Sequence, residues 1–142
     1  MQNKGKLLCL DLGKKVGIAI SDSTWTLARG IKTVNIKDLK IELKKIINQE
    51  KICGLVIGLP INMDGTPAKS SEETIQFGEE LSKEFNLIVK FQDERLSSWA
   101  ARELLHELGY KADKIRALED QTAAKIILES FLKSDFDINI FH

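Results

Sequence analysis

Three acidic positions in this sequence are of a type and placement that could do chemistry together. Asp11 ends the apolar run KLLCLDLG and has the strand parity of Leu7 and Cys9. Its side chain therefore shares an apolar face at the strand's carboxyl end, the edge where open α/β sheets collect ligands. An Asx turn opening DLGKK is the competing use of the same residue. The stretch FQDERLSSWAARELL puts Asp93, Glu94 and Arg95 between a strand and a helix. Parity groups Asp93, not Glu94, with Leu87, Val89 and Phe91, but the strand is ending there and pattern alone does not choose between the two acids. Asp120 lies on one helical stripe with Ala124, Ile127, Leu128 and Phe131, so a carboxylate falls on a face that must pack inward. Burying it unpaired costs several kcal/mol, so it calls for a cation, a hydrogen-bonding partner or a raised pKa. The helix dipole or an ion pair to Arg116 would also account for an acid at this position. Glu119 is expected to point into solvent.

If the strands carrying Asp11 and Glu94 run parallel, both acids lie at the same sheet edge, and a helix crossing that edge can deliver Asp120 beside them. Three converging carboxylates repel one another unless hard cations sit between them. Oxygen ligands without thiol or imidazole favour Mg²⁺ or Mn²⁺ over zinc. Two such ions about 4 Å apart would clamp an in-line phosphoryl displacement, one activating water and the other stabilising the departing 3′ oxygen.

Other positions could serve a polynucleotide. The loop GLPINMDGTPAKSS leaves a strand's carboxyl end, so Asn62, Asp64 and Thr66 could bond the sugar-phosphate backbone and Lys69 a phosphate. An ordered strand-to-helix connection with Gly65 in a turn needs no ligand. Arg95 could hold the scissile phosphate bidentately, or pair with Asp93. Lys111, Lys114 and Arg116 form either a phosphate-tracking patch beside Asp120 or a solvated helix start. Trp25 and Trp99 offer faces for unpaired bases, although Trp99, in the first turn of its helix, is expected to be partly packed. Ser97 or Ser98 reads as an N-cap rather than a nucleophile, since no His is placed to activate it.

The elements that must position these residues follow from periodicity. KLLCLDLG, VGIAISD and TLARGIKTV read as a strand meander, and IKDLKIELKKIINQEK as a helix. ICGLVIGLP is a buried strand closed by Pro60. SSEETIQFGEELSKEF is a helix with Ser70 and Glu73 at capping-box spacing. NLIVKFQ is a strand, SSWAARELLHELG a helix closed by Gly109, and a last helix covers roughly 113–133. The expectation is an α/β fold over residues 1–142 as one domain, with the order of the 134–142 tail left open. Its five-stranded mixed sheet, a three-strand antiparallel meander plus two parallel crossover strands, is flanked by helices.

At 142 residues, 43% apolar and 30% charged, the composition is that of a globular protein with one core. No run has the length of a membrane span and MQNKGKLL lacks a signal-peptide pattern, so a cytoplasmic location and no membrane partner are expected. Cys9 and Cys53 read as reduced core residues, and with His106 and His142 they make no zinc site. Basic and acidic residues balance at 21 each, so any nucleic-acid contact must rest on a local patch.

Four ordered blocks, LDLGKKVGIAISD, VIGLPINMDGT, DERLSSWAA and DQTAAKIILESFL, resemble those of YqgF (RuvX)-type proteins, the pre-16S rRNA nuclease family. That family is similar to Holliday-junction resolvases within the RNase H-like superfamily. The resemblance runs from about Leu7 to Leu132. It implies an RNase H-like fold and a catalytic, metal-binding triad of Asp11, Glu94 and Asp120, taking Glu94 over Asp93 and leaving Asp93 to orient Arg95. It further implies a Mg²⁺- or Mn²⁺-dependent endonuclease that completes the 5′ end of 16S rRNA in ribosome biogenesis. Pre-rRNA, the small ribosomal subunit or branched DNA would be partners of a monomer or homodimer. Two departures stand out. DLGKKVG is one residue shorter than the family's DxGxxxxG, which bears on Lys14 and Lys15 as phosphate contacts, and the basic stretch before Asp120 is thin. The competing functions are a resolvase of four-way DNA junctions and a non-catalytic RNA- or ribosome-binding module. A nucleotide-binding kinase- or actin-like reading fails because such proteins need two domains around a cleft.

Overall fold

The unbroken apolar run from Leu7 to Leu10 demands cover on both faces of its strand. The computed structural model, which describes residues 5–134 and 141, supplies that cover. Strands β1 (Lys6–Asp11), β2 (Lys15–Ser21) and β3 (Ala28–Asn35) precede a 3-10 turn (Ile36–Asp38) and helix α1 (Leu39–Gln49). Then come β4 (Ile52–Leu59), α2 (Ser71–Phe85), β5 (Ile88–Asp93), α3 (Ser97–Glu107) and α4 (Ala112–Lys133). The sheet order is β3-β2-β1-β4-β5; β2 is antiparallel to β1 and β3, while β4 runs parallel to β1 and β5. This is the expected mixed sheet.

Strand parity sorts the apolar residues into two layers. Leu8, Leu10, Val16, Ile18, Ile20, Leu55 and Ile57 pack with Leu39, Leu43 and Ile46 of α1 and Leu81 of α2. Leu7, Cys9, Ala19 and Val56 face the other way, onto Ala124, Ile127, Leu128 and Phe131 of α4. Asp11 continues the Leu7–Cys9 parity and so lies on the α4 side. In β5 the same rule puts Val89 and Phe91 in the α1/α2 layer and Ile88 in the α4 layer.

Helix α4 sits unusually close to the sheet because the strands present no side chain beneath it. A Cβ on Gly17 would collide with the Asp120 carbonyl, and one on Gly30 would lie 2.8 Å from the Gln121 oxygen. The backbone of α4 at 120–121 thus rests directly on β2 and β3, which fixes the height and rotation of Asp120.

Several local expectations change. Ser70 occupies the N-cap of α2 but has helical φ/ψ and makes no side-chain cap bond. A capping side chain needs extended backbone, and Ser71 ties the helix start instead, accepting from the Ala68 N–H at 3.0 Å and donating to the Pro60 carbonyl. Trp25 is buried, its Nε1–H donating to the Gly5 carbonyl at 2.9 Å and its ring meeting Phe141 edge-on at 5.7 Å. It is a core residue with no face for a base. Within the 134–142 tail, Phe141 is buried against Trp25 and Phe131 over Gly54, whereas 135–140 and 142 lie outside the described residues. Cys9 and Cys53 are free thiols, as expected.

Candidate active site

The three acids line one open pocket of about 570 Å³ at the carboxyl ends of β1 and β4. Asp11 stands at the last position of β1, paired in register with Gly17. Its carboxyl meets that of Glu94 rather than closing an Asx turn.

Glu94 is the first residue past β5, and its main chain is held from three sides. Its N–H donates to Leu59 at 3.3 Å, while its carbonyl accepts from the Ser97 N–H at 3.1 Å and the Ser97 hydroxyl at 2.8 Å. Ser97 is therefore not an N-cap acceptor but a buried donor that pins Glu94; the N-cap position belongs to Leu96, which takes left-handed backbone at φ 64°. Room for the carboxylate comes from β4, where a Cβ on Gly58 would stand 3.1 Å from Glu94 Oε2. Asp93 turns away. Its carboxylate accepts from the Arg95 N–H and Nε–H, both at 2.8 Å, and pairs with Arg95 Nη2 at 2.7 Å.

Negative charge is concentrated around Asp11. Burial, then the hydrogen bond with Glu94, then the charges of Glu94, Asp120 and Glu119 push the Asp11 carboxyl up to about 8. At neutral pH Asp11 accordingly keeps its proton. Burial and the neighbouring Glu119 raise Asp120 as well, with Lys15 opposing them. Cys9, beneath Asp11, has its thiol held protonated by burial and by the charges of Asp11 and Glu94. Glu119 is not simply solvated, as its charge reaches both Asp11 and Asp120 while its carboxylate pairs with Arg102 of α3 at 3.3 Å. Asp120 forms no ion pair with Arg116 among the described residues.

Half-buried, oxygen-only groups, of which Asp11 and Asp120 are pushed up by burial and by neighbouring negative charge, suit a hard divalent cation. The carboxylates are not, however, pre-drawn into a cage: among the described residues no three acidic, histidine or cysteine groups converge closely enough to hold an ion. Asp11 and Glu94 form the pair, and Asp120 approaches it with Lys15 at its side.

The family model described as "Holliday junction resolvase", RuvX, matches residues 5–134. The chain belongs to the RuvX family. It is 39% identical over 132 residues to a Rickettsia rickettsii protein and 40% identical over 132 residues to one from Rickettsia bellii, each match covering 90% of this chain and 86% of the relative. Both relatives carry the name "Putative pre-16S rRNA nuclease". RuvX membership makes the sheet and its helices an RNase H-like fold and supports a nuclease role.

Around the acids, this RuvX chain brings some expected residues into the pocket and leaves others out. Lys14, Lys15 and Arg95 line it. The short DLGKK turn keeps both lysines at the acids, because β2 already begins at Lys15. Arg95 is largely committed, spanning from Asp93 to the Met63 carbonyl at 3.4 Å. Asn62, Asp64 and Thr66 satisfy one another: Asn62 Nδ2 donates to Thr66 Oγ1 at 3.1 Å, and Asp64 accepts from the Thr66 N–H at 2.9 Å and hydroxyl at 2.6 Å. Those side chains build the loop that presents Met63 to the pocket. Lys69 and Lys114 do not line the pocket, and Arg116 borders a neighbouring hollow of about 260 Å³ with Lys15, Thr33 and Asn35. Trp99 is 56% exposed, contrary to the packing expected for it.

Proposed function

We propose that the chain is a divalent-metal-dependent endonuclease acting on structured RNA, with 5′-end maturation of pre-16S rRNA in the cytoplasm as its role. The observation that carries this reading is the pocket at the sheet edge, where the half-buried carboxyls of Asp11 and Glu94 meet and which Asp120, Lys14 and Lys15 also line. Asp11, Glu94 and Asp120 would hold Mg²⁺ or Mn²⁺, two ions in the fullest arrangement. Such ions supply a water nucleophile at neutral pH and neutralise charge on the leaving oxygen. The chain's own residues do the rest. Lys14 and Lys15 attract the phosphate and set the side from which the strand approaches, and Lys15 with Arg116 continues the positive track along the start of α4. Arg95, oriented by Asp93, closes the opposite wall together with the Met63 loop. No helix among the described residues is long and apolar enough to cross a membrane.

The description attached to the matching family favours a second reading, cleavage of four-way DNA junctions. One experiment separates the two. Purified protein is incubated with precursor 16S rRNA and with a synthetic junction, with and without Mn²⁺, alongside Asp120→Asn. The nuclease reading expects Mn²⁺-stimulated cutting of the rRNA by the parent and its loss in a folded variant. Equal cutting by Asp120→Asn would overturn the triad, and paired symmetric cuts in the junction alone would transfer the role to DNA.

A further inference from the structure

The geometry points to Trp99, with Leu96 and Met63, as a platform on which an unpaired base beside the scissile phosphate stacks, so that the substrate strand is single-stranded where it is cut. The inference rests on the nuclease reading of the acidic pocket and adds the form of nucleic acid it accepts.

Single exposed apolar residues are ordinary. Here three large ones are exposed, Leu96 at 54% and Met63 at 65% on the lining of one pocket and Trp99 at 56% next in sequence to that lining. Leu96, Met63 and Ser98, the residue before Trp99, all line that pocket. Trp99 lies in the first turn of α3, and helical side chains lean toward the N-terminal end of their helix, here the Leu96–Ser98 segment that lines the pocket. The core does not use it: α3 buries Ser97, Ala101 and Leu105 instead. Leu96 is held outward by left-handed backbone, a costly state for a bulky side chain, at the turn where Ser97 pins Glu94.

Charge selects the occupant. Lys14 and Lys15 line the pocket with no ion pair among the described residues and suit phosphates, Arg95 beside the lip is paired with Asp93, and the acids repel phosphates unless cations intervene. A strand lying between the walls turns its phosphates to the lysines and its base to the apolar lip. An indole face accepts any base, but only one freed from its own stack. A paired duplex has none to offer.

The chain's two tryptophans make the test direct, since Trp25 is buried and hydrogen-bonded while Trp99 is exposed. Full-length Asp120→Asn, to suppress turnover, is titrated in Mg²⁺ with a single-stranded RNA oligonucleotide and with a blunt duplex of the same sequence. The single strand should quench the exposed emission and shield it from acrylamide, the duplex much less. Adding Trp99→Ala should weaken single-strand binding about 5- to 100-fold, the span expected for loss of one base–aromatic stack, and Trp99→Phe should restore most of it. Unchanged affinity in Trp99→Ala, or equal shielding by duplex, overturns the platform. So does a Trp99-dependent change of mass in solution with no response to RNA, which would make the lip a contact between copies. If the oligonucleotide shields Trp99 but the parent never cuts RNA, the nuclease reading fails while the platform stands.

Discussion

Replacing Asp11 by Asn should stabilise the metal-free protein while removing its activity, and the gain should grow with pH. In the unfolded chain an Asp ionises near 3.8, whereas in the fold Asp11 keeps its proton up to about 8. Between those values the unfolded state has lost a proton that the native state retains, so native stability falls as pH rises, by about 1.4 kcal/mol per pH unit from this group. The full interval sets a ceiling of about 5–6 kcal/mol. Asn keeps the shape, can donate its amide N–H to Glu94 and carries no titrating proton, so the penalty disappears. Between pH 5 and pH 7 the difference in stability between variant and parent should widen by about 3 kcal/mol, or about 8 °C in Tm at this chain length. The assay is thermal unfolding by circular dichroism with EDTA at several pH values, read as variant minus parent so that other titrating groups cancel. Adding Mn²⁺ should then raise the parent's Tm and narrow the gap, because a ligand that binds only the native state stabilises it. A gap that stays flat with pH, or a variant less stable than the parent throughout, would refute the account of Asp11 as a carboxylate held against its own repulsion.

Two further changes probe what positions the site. Gly17→Ala places a methyl group where the Asp120 carbonyl lies, so α4 must lift; a loss of about 3 kcal/mol or more is expected in urea denaturation, against a negligible change if the helix is seated less closely. Phe141→Ala empties a pocket formed by Trp25, Phe131 and Gly54 and should cost about 3–5 kcal/mol by the same measurement; an unmoved midpoint would mean that Phe141 contributes no packing.

Much of this fold was legible because the helices and strands carry strong periodic signals, and periodicity also puts Asp11 and Asp120 on faces that meet at the pocket they line. The choice between Asp93 and Glu94 was not, and the reason is instructive. Parity groups Asp93 with Val89 and Phe91, which looks like the protected side, but those residues pack toward α1 and α2. The site lies on the α4 side, shared by Asp11, Ile88 and, by the same count, Glu94. In a sheet covered on both faces, apolar company does not identify the functional face; the position of Asp120 on α4 does. Other features depend on three-dimensional approach and leave no local trace. Trp25 is read as exposed or buried only once Phe141 is seen to return to it. Ser97 resembles any N-cap serine until Leu96 takes the left-handed turn that redirects it to the Glu94 carbonyl. The reach of Glu119 into the site depends on how α4 is rotated, which Gly17 and Gly30 set.

The shortened turn after Asp11 still leaves both of its lysines on the pocket. With β2 beginning at Lys15, that residue is two positions before Gly17 and so has the parity of the strand face on which α4 lies. It pairs in register with Asn35 of β3, so its main chain belongs to the sheet and not to a free loop. Its charge acts on Asp120 across the pocket. A longer turn would hold a lysine at the end of a flexible connection and would lose more entropy each time a phosphate was bound. Here the ladder has already imposed most of that order. The same strand supplies the glycine on which the Asp120 backbone rests and the lysine whose charge reaches that acid, so the main chains of both are anchored to one element. The shorter turn therefore ties the backbone of the positive residue to the strand that also seats the acidic helix.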